Sequence, residues 1–216
     1  MSYVYFETTK IMEDKQKTYH DYVIKDGKFI GKFDEMYTEF NDPWTQSTQP
    51  NKYSRMAGIV HIQNFNIKTV LECGSGLGYY ADWIHRETQI IPKSVDISAV
   101  AIEKAKTLFP HLDFEVVDIC TELSKFKDYD CVLFSEIIWY ILPDLKEIFN
   151  VLKKDFKGKY FLVNQVFYKG TQKYGNEYFT NLKEFINYVP FTLVGQCEAT
   201  MDKDSTIETS TIFRID

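Results

Sequence analysis

The sequence is poor in the features that define several protein classes. It has four cysteines in 216 residues, Cys73, Cys120, Cys131 and Cys197. No two form a C-x-x-C pair, so no metal site is expected. Cys73, Cys131 and Cys197 lie in apolar, strand-like runs and read as small buried hydrophobes. There is no leading apolar segment and no run of about 18 apolar residues. A signal peptide and a membrane span are therefore not expected, and the expected compartment is cytoplasmic. Basic stripes are missing too. No run of Lys and Arg exceeds the pair Lys153-Lys154, and the net charge is −6. That balance argues against nucleic acid as a partner. No internal repeat or low-complexity stretch is visible.

What is present is apolar and aromatic. Hydrophobic residues make up 44% of the chain and aromatics 16%. This suffices for the core of one domain with an extension. The aromatic excess reads first as packing, with a share left for lining a pocket that takes a ring or a sugar.

From about residue 61 onward, short apolar runs alternate with helical periodicity. Strands are expected at Thr69–Cys73, Ile90–Asp96, Asp113–Val117, Tyr129–Ser135, Lys159–Val166, Phe191–Thr200 and Glu208–Ile215. Pro92 limits pairing at the start of the second. Tyr80, Trp83 and Ile84 mark a helix after the first strand, and Ser98 caps the next one. Further helices follow from the spacing of Leu145, Ile148, Phe149 and Leu152, and of Leu182, Phe185, Ile186 and Val189. The polar link between the last two strands is too short for a parallel crossover, so they form an antiparallel hairpin. The fold class is α/β: a Rossmann-like, seven-stranded, mostly parallel sheet with a C-terminal antiparallel hairpin. Residues 1–60 lack this rhythm. They hold an Asp26-Gly27 turn, a helical patch at Phe33–Phe40 and Asp42-Pro43-Trp44. They are expected to form an N-terminal lid over the sheet's carboxyl edge, or an extension covering a sheet edge, with residues 61–216 as the ligand-binding domain.

The most specific feature is Glu72-Cys73-Gly74-Ser75-Gly76-Leu77-Gly78, a strand end running into a glycine-rich loop and then a helix. Such a unit builds a nucleotide site. The dinucleotide fingerprint G-x-G-x-x-G/A fits at Gly74 and Gly76, but its third slot is Tyr79. The G-K-[ST] of a P-loop is absent. Glu72 ahead of the turn repels phosphate and suits a cation. A ligand with an adenosine, no phosphate and a positive centre meets these constraints.

The motif E-x-G-x-G-x-G resembles that of the class I S-adenosylmethionine-dependent methyltransferases. The resemblance extends to Asp96 at the end of the second strand, to Val117-Asp118-Ile119 after the third, and to Ser135-Glu136 at the end of the fourth. It implies S-adenosyl-L-methionine as cofactor. It also implies that the backbone at Gly74 and Gly76 holds the methionine moiety, that Ser75 and Gly78 belong to the same cofactor-binding loop, and that Glu72 orients the loop and favours the cationic ligand. Asp96 would accept the ribose hydroxyls, Ile97 and Ile119 would flank adenine, Asp118 would accept the adenine amino group, and Ser135 would close the site. Plainer readings stand beside these: Asp96 as a helix-start acid, Asp118 as a loop solubiliser, and Glu136 as an acid answering a helix dipole.

Ser135–Leu142 and Asp42-Pro43-Trp44 are similar to the nodulation-factor N-methyltransferases. Tyr168–Thr180 is similar to methyltransferases of bacterial surface-polysaccharide sugars. These likenesses imply a small-molecule acceptor, a sugar or nucleotide-linked sugar methylated on a hydroxyl. The alternatives are N-methylation of an amino sugar or other small amine, and a non-catalytic S-adenosylmethionine-binding regulatory domain. Glu136 and Tyr140 are the catalytic candidates, with Trp44 walling the site or sitting in the core. Asn164, Gln165, Tyr168, Tyr174 and Tyr178 are further candidates after the fifth strand. Of the histidines, His20 alone falls in the lid region. The D/N-P-P-[YF] signature of amino and nucleobase methylation is absent, and oligomeric state is not encoded in any motif.

Overall fold

A computed structural model of the chain describes residues 17–49, 52–170, 172–203 and 205–216. Its first part holds the short strands β1 (Ile24–Lys25) and β2 (Lys28–Phe29), then helices α1 (Phe33–Glu39) and α2 (Tyr53–Asn64). The alternating part follows as β3 (Val70–Cys73), α3 (Tyr79–Thr88), β4 (Lys93–Asp96), α4 (Ala99–Leu108), β5 (Asp113–Val116) and α5 (Ile119–Glu122). It continues with β6 (Cys131–Ser135), α6 (Leu145–Asp155), β7 (Tyr160–Tyr168), α7 (Leu182–Tyr188), β8 (Thr192–Ala199) and β9 (Thr206–Arg214).

Seven strands form one sheet in the order β5-β4-β3-β6-β7-β9-β8. The first five in that order are parallel, while β9 runs antiparallel to both β7 and β8. This is the seven-stranded, mostly parallel architecture with a terminal hairpin that the strand pattern predicts. The hairpin is inserted so that β9, not β8, pairs with β7.

Side-chain alternation on the central strands explains the layering. Every residue of β6 is buried. Val132 and Phe134 face Ile148, Phe149 and Leu152 of α6 and Phe185 of α7. Cys131 and Leu133 face the opposite layer, with Ile59 and Ile62 of α2 and Tyr80 and Ile84 of α3. Two covered faces are why the run reads as continuously apolar. The second strand begins at Lys93 rather than at Ile90, because Pro92 has no N–H to contribute to the ladder. Cys197 is only half buried, on the edge strand β8, whereas Cys73 and Cys131 are core residues.

The expected division at residue 60 falls inside α2. That helix packs on β7, β8 and β9 and belongs to the sheet's cover. Upstream of it, α1 is tied to α4. Asp34 Oδ1 accepts from Ser98 Oγ at 2.6 Å and from the Val100 amide at 3.2 Å, and Lys104 donates to the Phe40 carbonyl at 3.2 Å. A carboxylate at the start of α4 and an ammonium at the end of α1 both answer helix dipoles. Among the described residues, no helix is long and apolar enough to cross a membrane.

Candidate active site

The parallel order places the carboxyl ends of β3, β4, β5 and β6 side by side. The order reverses at β3, which pairs with β4 on one side and β6 on the other. Open α/β sheets bind ligands at such a switch point. A cleft of about 980 Å³ lies there, between the strand ends and the N-terminal segment. Its walls include Trp44, Gly74, Asp96, Ile97, Asp118, Ile119, Ser135, Glu136 and Tyr140, so nine of the thirteen residues expected at the site converge on it.

The other four, Glu72, Ser75, Gly76 and Gly78, do not line the cleft. Glu72 is 0% exposed and lies beneath the loop. Its Oε2 accepts from Ser94 Oγ at 2.8 Å, while Oε1 has no partner among the described residues. Burial pushes its carboxyl up to about 7, against opposing pulls from Ser94 and Arg55. Ser75 is buried as well, and a side chain on Gly78 would run into Phe114, on the β5 side. Gly76 is covered by the N-terminal segment: a Cβ there would lie 2.7 Å from the Tyr37 hydroxyl and 3.0 Å from Gln46 Nε2. These residues shape the loop from behind. Gly74 faces the cleft with φ +82°, and a Cβ on it would stand 2.0 Å from Ile137 Cγ2. Only glycine fits that position.

At the β4 end, Asp96 Oδ2 accepts from the Gly76 amide at 2.9 Å and Oδ1 from the Ser98 amide at 2.9 Å. Burial raises this carboxyl from the ordinary range, and the amides of Ser98 and Gly76 oppose the rise. A carboxylate offers about four lone-pair sites, so each oxygen keeps capacity for one further donor. The next residue, Ile97, is 56% exposed, an apolar side chain open to the cleft. Asp118 caps α5, its Oδ1 accepting from the Cys120 amide at 2.9 Å. The plainer reading of Asp118 as a loop acid is thus sharpened to an N-cap. Ile119 is buried beside it.

At the β6 end, Glu136 has φ +62° and its amide donates to the Asn164 carbonyl at 2.9 Å. Two cations from α2 and the residue preceding it meet its carboxylate. Lys52 Nζ is 3.2 Å from Oε2, and Arg55 Nη2 is 3.7 Å from Oε1. Neither cation stands out in the sequence. Both line the cleft only because α2 crosses the sheet there. Arg55 is 4% exposed, lies over the Tyr80 ring at 5.6 Å, and has an unpartnered Nε among the described residues.

Tyr140 stands in an aromatic wall. Its ring centroid is 5.4 Å from Phe33, 6.0 Å from Trp44 and 6.2 Å from a stacked Phe29. Trp44 in turn meets Tyr19 edge-on at 4.8 Å. Burial pushes the Tyr140 phenol strongly up, with Tyr168 and Glu136 adding to it. The hydroxyl stays protonated, which makes it a hydrogen-bond donor and removes it as a proton acceptor. His20 also lines the cleft, while His61, His85 and His111 do not. Of Asn164, Gln165, Tyr168, Tyr174 and Tyr178, only Tyr168, at the end of β7, lines the cleft. Tyr174 and Tyr178 pack against the core, and Asn164 bonds to the Tyr80 hydroxyl at 3.1 Å. Gln165 is buried, with both side-chain polar atoms unpartnered among the described residues.

The features that remain unpaired suit S-adenosylmethionine. The cleft offers a buried guanidinium with a free N–H for a carboxylate, a carboxylate with spare acceptor sites for vicinal hydroxyls, and an exposed aliphatic face for a flat base.

Known proteins share this fold. Residues 70–155 match the family model described as a methyltransferase domain. No curated protein matches the sequence. The N-methyltransferase NodS from Bradyrhizobium japonicum WM9 shares the fold at 13% identity and a TM-score of 0.60, over 78% of this chain and 98% of that one. The PH0226 protein from Pyrococcus horikoshii OT3 does so at 16% identity and 0.59, over 84% and 99%. A TehB-like SAM-dependent methyltransferase from Corynebacterium glutamicum matches at 13% identity and 0.59, over 85% and 98%. The matched stretch begins at β3 and ends with α6, so it spans the glycine loop and all four strand ends that bound the cleft, and the protein is accordingly a methyltransferase whose methyl donor is S-adenosylmethionine.

Proposed function

We propose that the protein methylates a small acceptor, on a hydroxyl of a sugar or nucleotide-linked sugar. The observation that carries this reading is the mixed lining of the cleft around Glu136. It brings the aromatic rings of Tyr19, Trp44 and Tyr140 together with the polar groups of Glu136, Tyr168 and Thr206. A sugar ring has C–H faces that pack on aromatic rings and a rim of hydroxyls that needs polar partners.

The donor supplies an activated methyl on sulfur. The chain's part is to align, to exclude water and to accept a proton. Asp96 takes the two ribose hydroxyls on its spare acceptor sites. Ile97 and Ile119 hold the adenine, with Asp118 Oδ2 for its amino group. Gly74 and Ser135 bound the methionine end. Arg55 and Lys52, the Lys and Arg side chains of the cleft, hold the donor's carboxylate. The N-terminal segment acts as the lid, with Trp44 as its wall. Glu136 accepts the proton of the acceptor hydroxyl, and Tyr140 donates a hydrogen bond beside it.

A second reading is N-methylation of an amino sugar or small amine. It is favoured by a carboxylate bordered by aromatic rings, which suits an ammonium before it loses its proton. Both readings are tested together. The enzyme is incubated with S-adenosylmethionine and a panel of nucleotide-sugars and amino sugars, and S-adenosylhomocysteine release is measured. Turnover with hydroxyl acceptors is expected. Turnover confined to amines would transfer the conclusion to the second reading, and turnover with neither would reject both.

A further inference from the structure

We propose that Glu136 and the donor's carboxylate compete for the same two cations, so that donor binding releases Glu136 to the acceptor. The proposal rests on the assignment of Arg55 and Lys52 to the donor. Arg55 is almost wholly buried, and a buried guanidinium requires a counter-charge. Two carboxylates are near it. Glu72 is fully buried and its carboxyl is pushed up to about 7, so it is an incomplete anion at neutral pH. Glu136 is the one that reaches the guanidinium, at 3.7 Å, while holding Lys52 at 3.2 Å.

The backbone points the same way. Glu136 sits at φ +62°, a conformation that costs a side-chain-bearing residue free energy and persists where the surroundings over-determine it. The bond from its amide to Asn164 keeps it there. This conformation aims the carboxylate into the cleft, between the α2 cations and the aromatic wall. Glu136, Tyr140 and Tyr168 line the same cleft, which places Glu136 within reach of the acceptor side. When a second carboxylate takes the cations, Glu136 loses its partners and faces the acceptor as a proton acceptor. Donor binding then precedes productive acceptor binding.

The competition is read by binding. Titration calorimetry is run with S-adenosylmethionine and with 5′-methylthioadenosine, which has the adenosine and sulfur but no carboxylate. For Glu136→Gln, S-adenosylmethionine is expected to bind roughly three- to tenfold tighter than to the wild type, the effect of removing one half-buried competing ion pair. Affinity for 5′-methylthioadenosine stays the same. Glu136→Gly, which suits the positive φ, gives the same pattern and guards against a folding defect in the first variant. Unchanged or weaker S-adenosylmethionine binding in both variants overturns the competition. Tighter binding of both ligands also overturns it, because the carboxylate is then irrelevant. A wild type that binds 5′-methylthioadenosine but gains nothing from the carboxylate of S-adenosylmethionine refutes the Arg55 and Lys52 assignment itself.

Discussion

Gln46 holds the glycine loop by its own side chain: its Oε1 accepts from the Leu77 amide at 2.9 Å. The N-terminal segment is thereby bonded to the loop that borders the cleft, across 31 residues of sequence. Gln46 is buried, so the Leu77 amide has no ready substitute. Gln46→Ala is expected to lower stability by about 1–2 kcal/mol, the cost of an unsatisfied buried amide. It should also weaken S-adenosylmethionine binding. Urea unfolding and calorimetry measure both, and unchanged values would show that the segment does not brace the loop.

Asp96 gives a sharper test of the donor site. Removing its carboxylate in Asp96→Ala deletes the expected ribose bonds and the support of the Gly76 amide. Donor affinity should fall by about 1.5–3 kcal/mol, the range for hydrogen bonds to a charged group. Retained affinity would reject the ribose role.

Gly74 and Ile137 are predicted to be coupled. A methyl on Gly74 meets Ile137 Cγ2 at 2.0 Å and also imposes φ +82° on an alanine. Gly74→Ala should cost roughly 1–3 kcal/mol from backbone strain, with the clash in addition. In an Ile137→Ala background only the strain remains, so the same substitution should cost less. Equal costs in the two backgrounds would mean that the clash contributes nothing.

Glu72 predicts a pH dependence. Its folded-state carboxyl is raised to about 7 from an ordinary 4.5, chiefly by burial. Between those values the native state holds a proton that the unfolded chain has released. The group's contribution is therefore fully present below about pH 4.5 and is lost as pH rises through about 7. The loss is on the order of 3 kcal/mol. Glu72→Gln does not ionise. Its stability relative to the wild type should rise from pH 5 to pH 8 in urea titrations. A pH-independent difference would mean that Glu72 titrates normally.

The strand pattern was legible because two-sided burial forces β6 to be continuously apolar, and the short polar link ahead of β9 permits only a hairpin. Gly74, Asp96 and Ile97 were legible because each follows directly from a strand end. Glu72, Ser75, Gly76 and Gly78 sit in the same motif, but Glu72 and Ser75 are buried, and a Cβ on Gly76 or Gly78 would meet other parts of the fold. Adjacency in sequence does not tell which side of a loop faces a ligand. Tyr174 and Tyr178 carried the same chemistry on paper as Tyr168, and the fold of the segment packed them against the core instead.

Local sequence, then, determined the sheet, its carboxyl edge and the convergence of Gly74, Asp96 and Ile97 on the cleft, because those depend on hydrophobic period and on residues a few positions apart. The tertiary structure alone decided the charged end. Lys52 and Arg55 lie more than 80 residues from Glu136 along the chain. They meet it only because α2 packs across the sheet beside the end of β6, where burial makes an exposed-looking pattern of charges into a guanidinium that must have a partner.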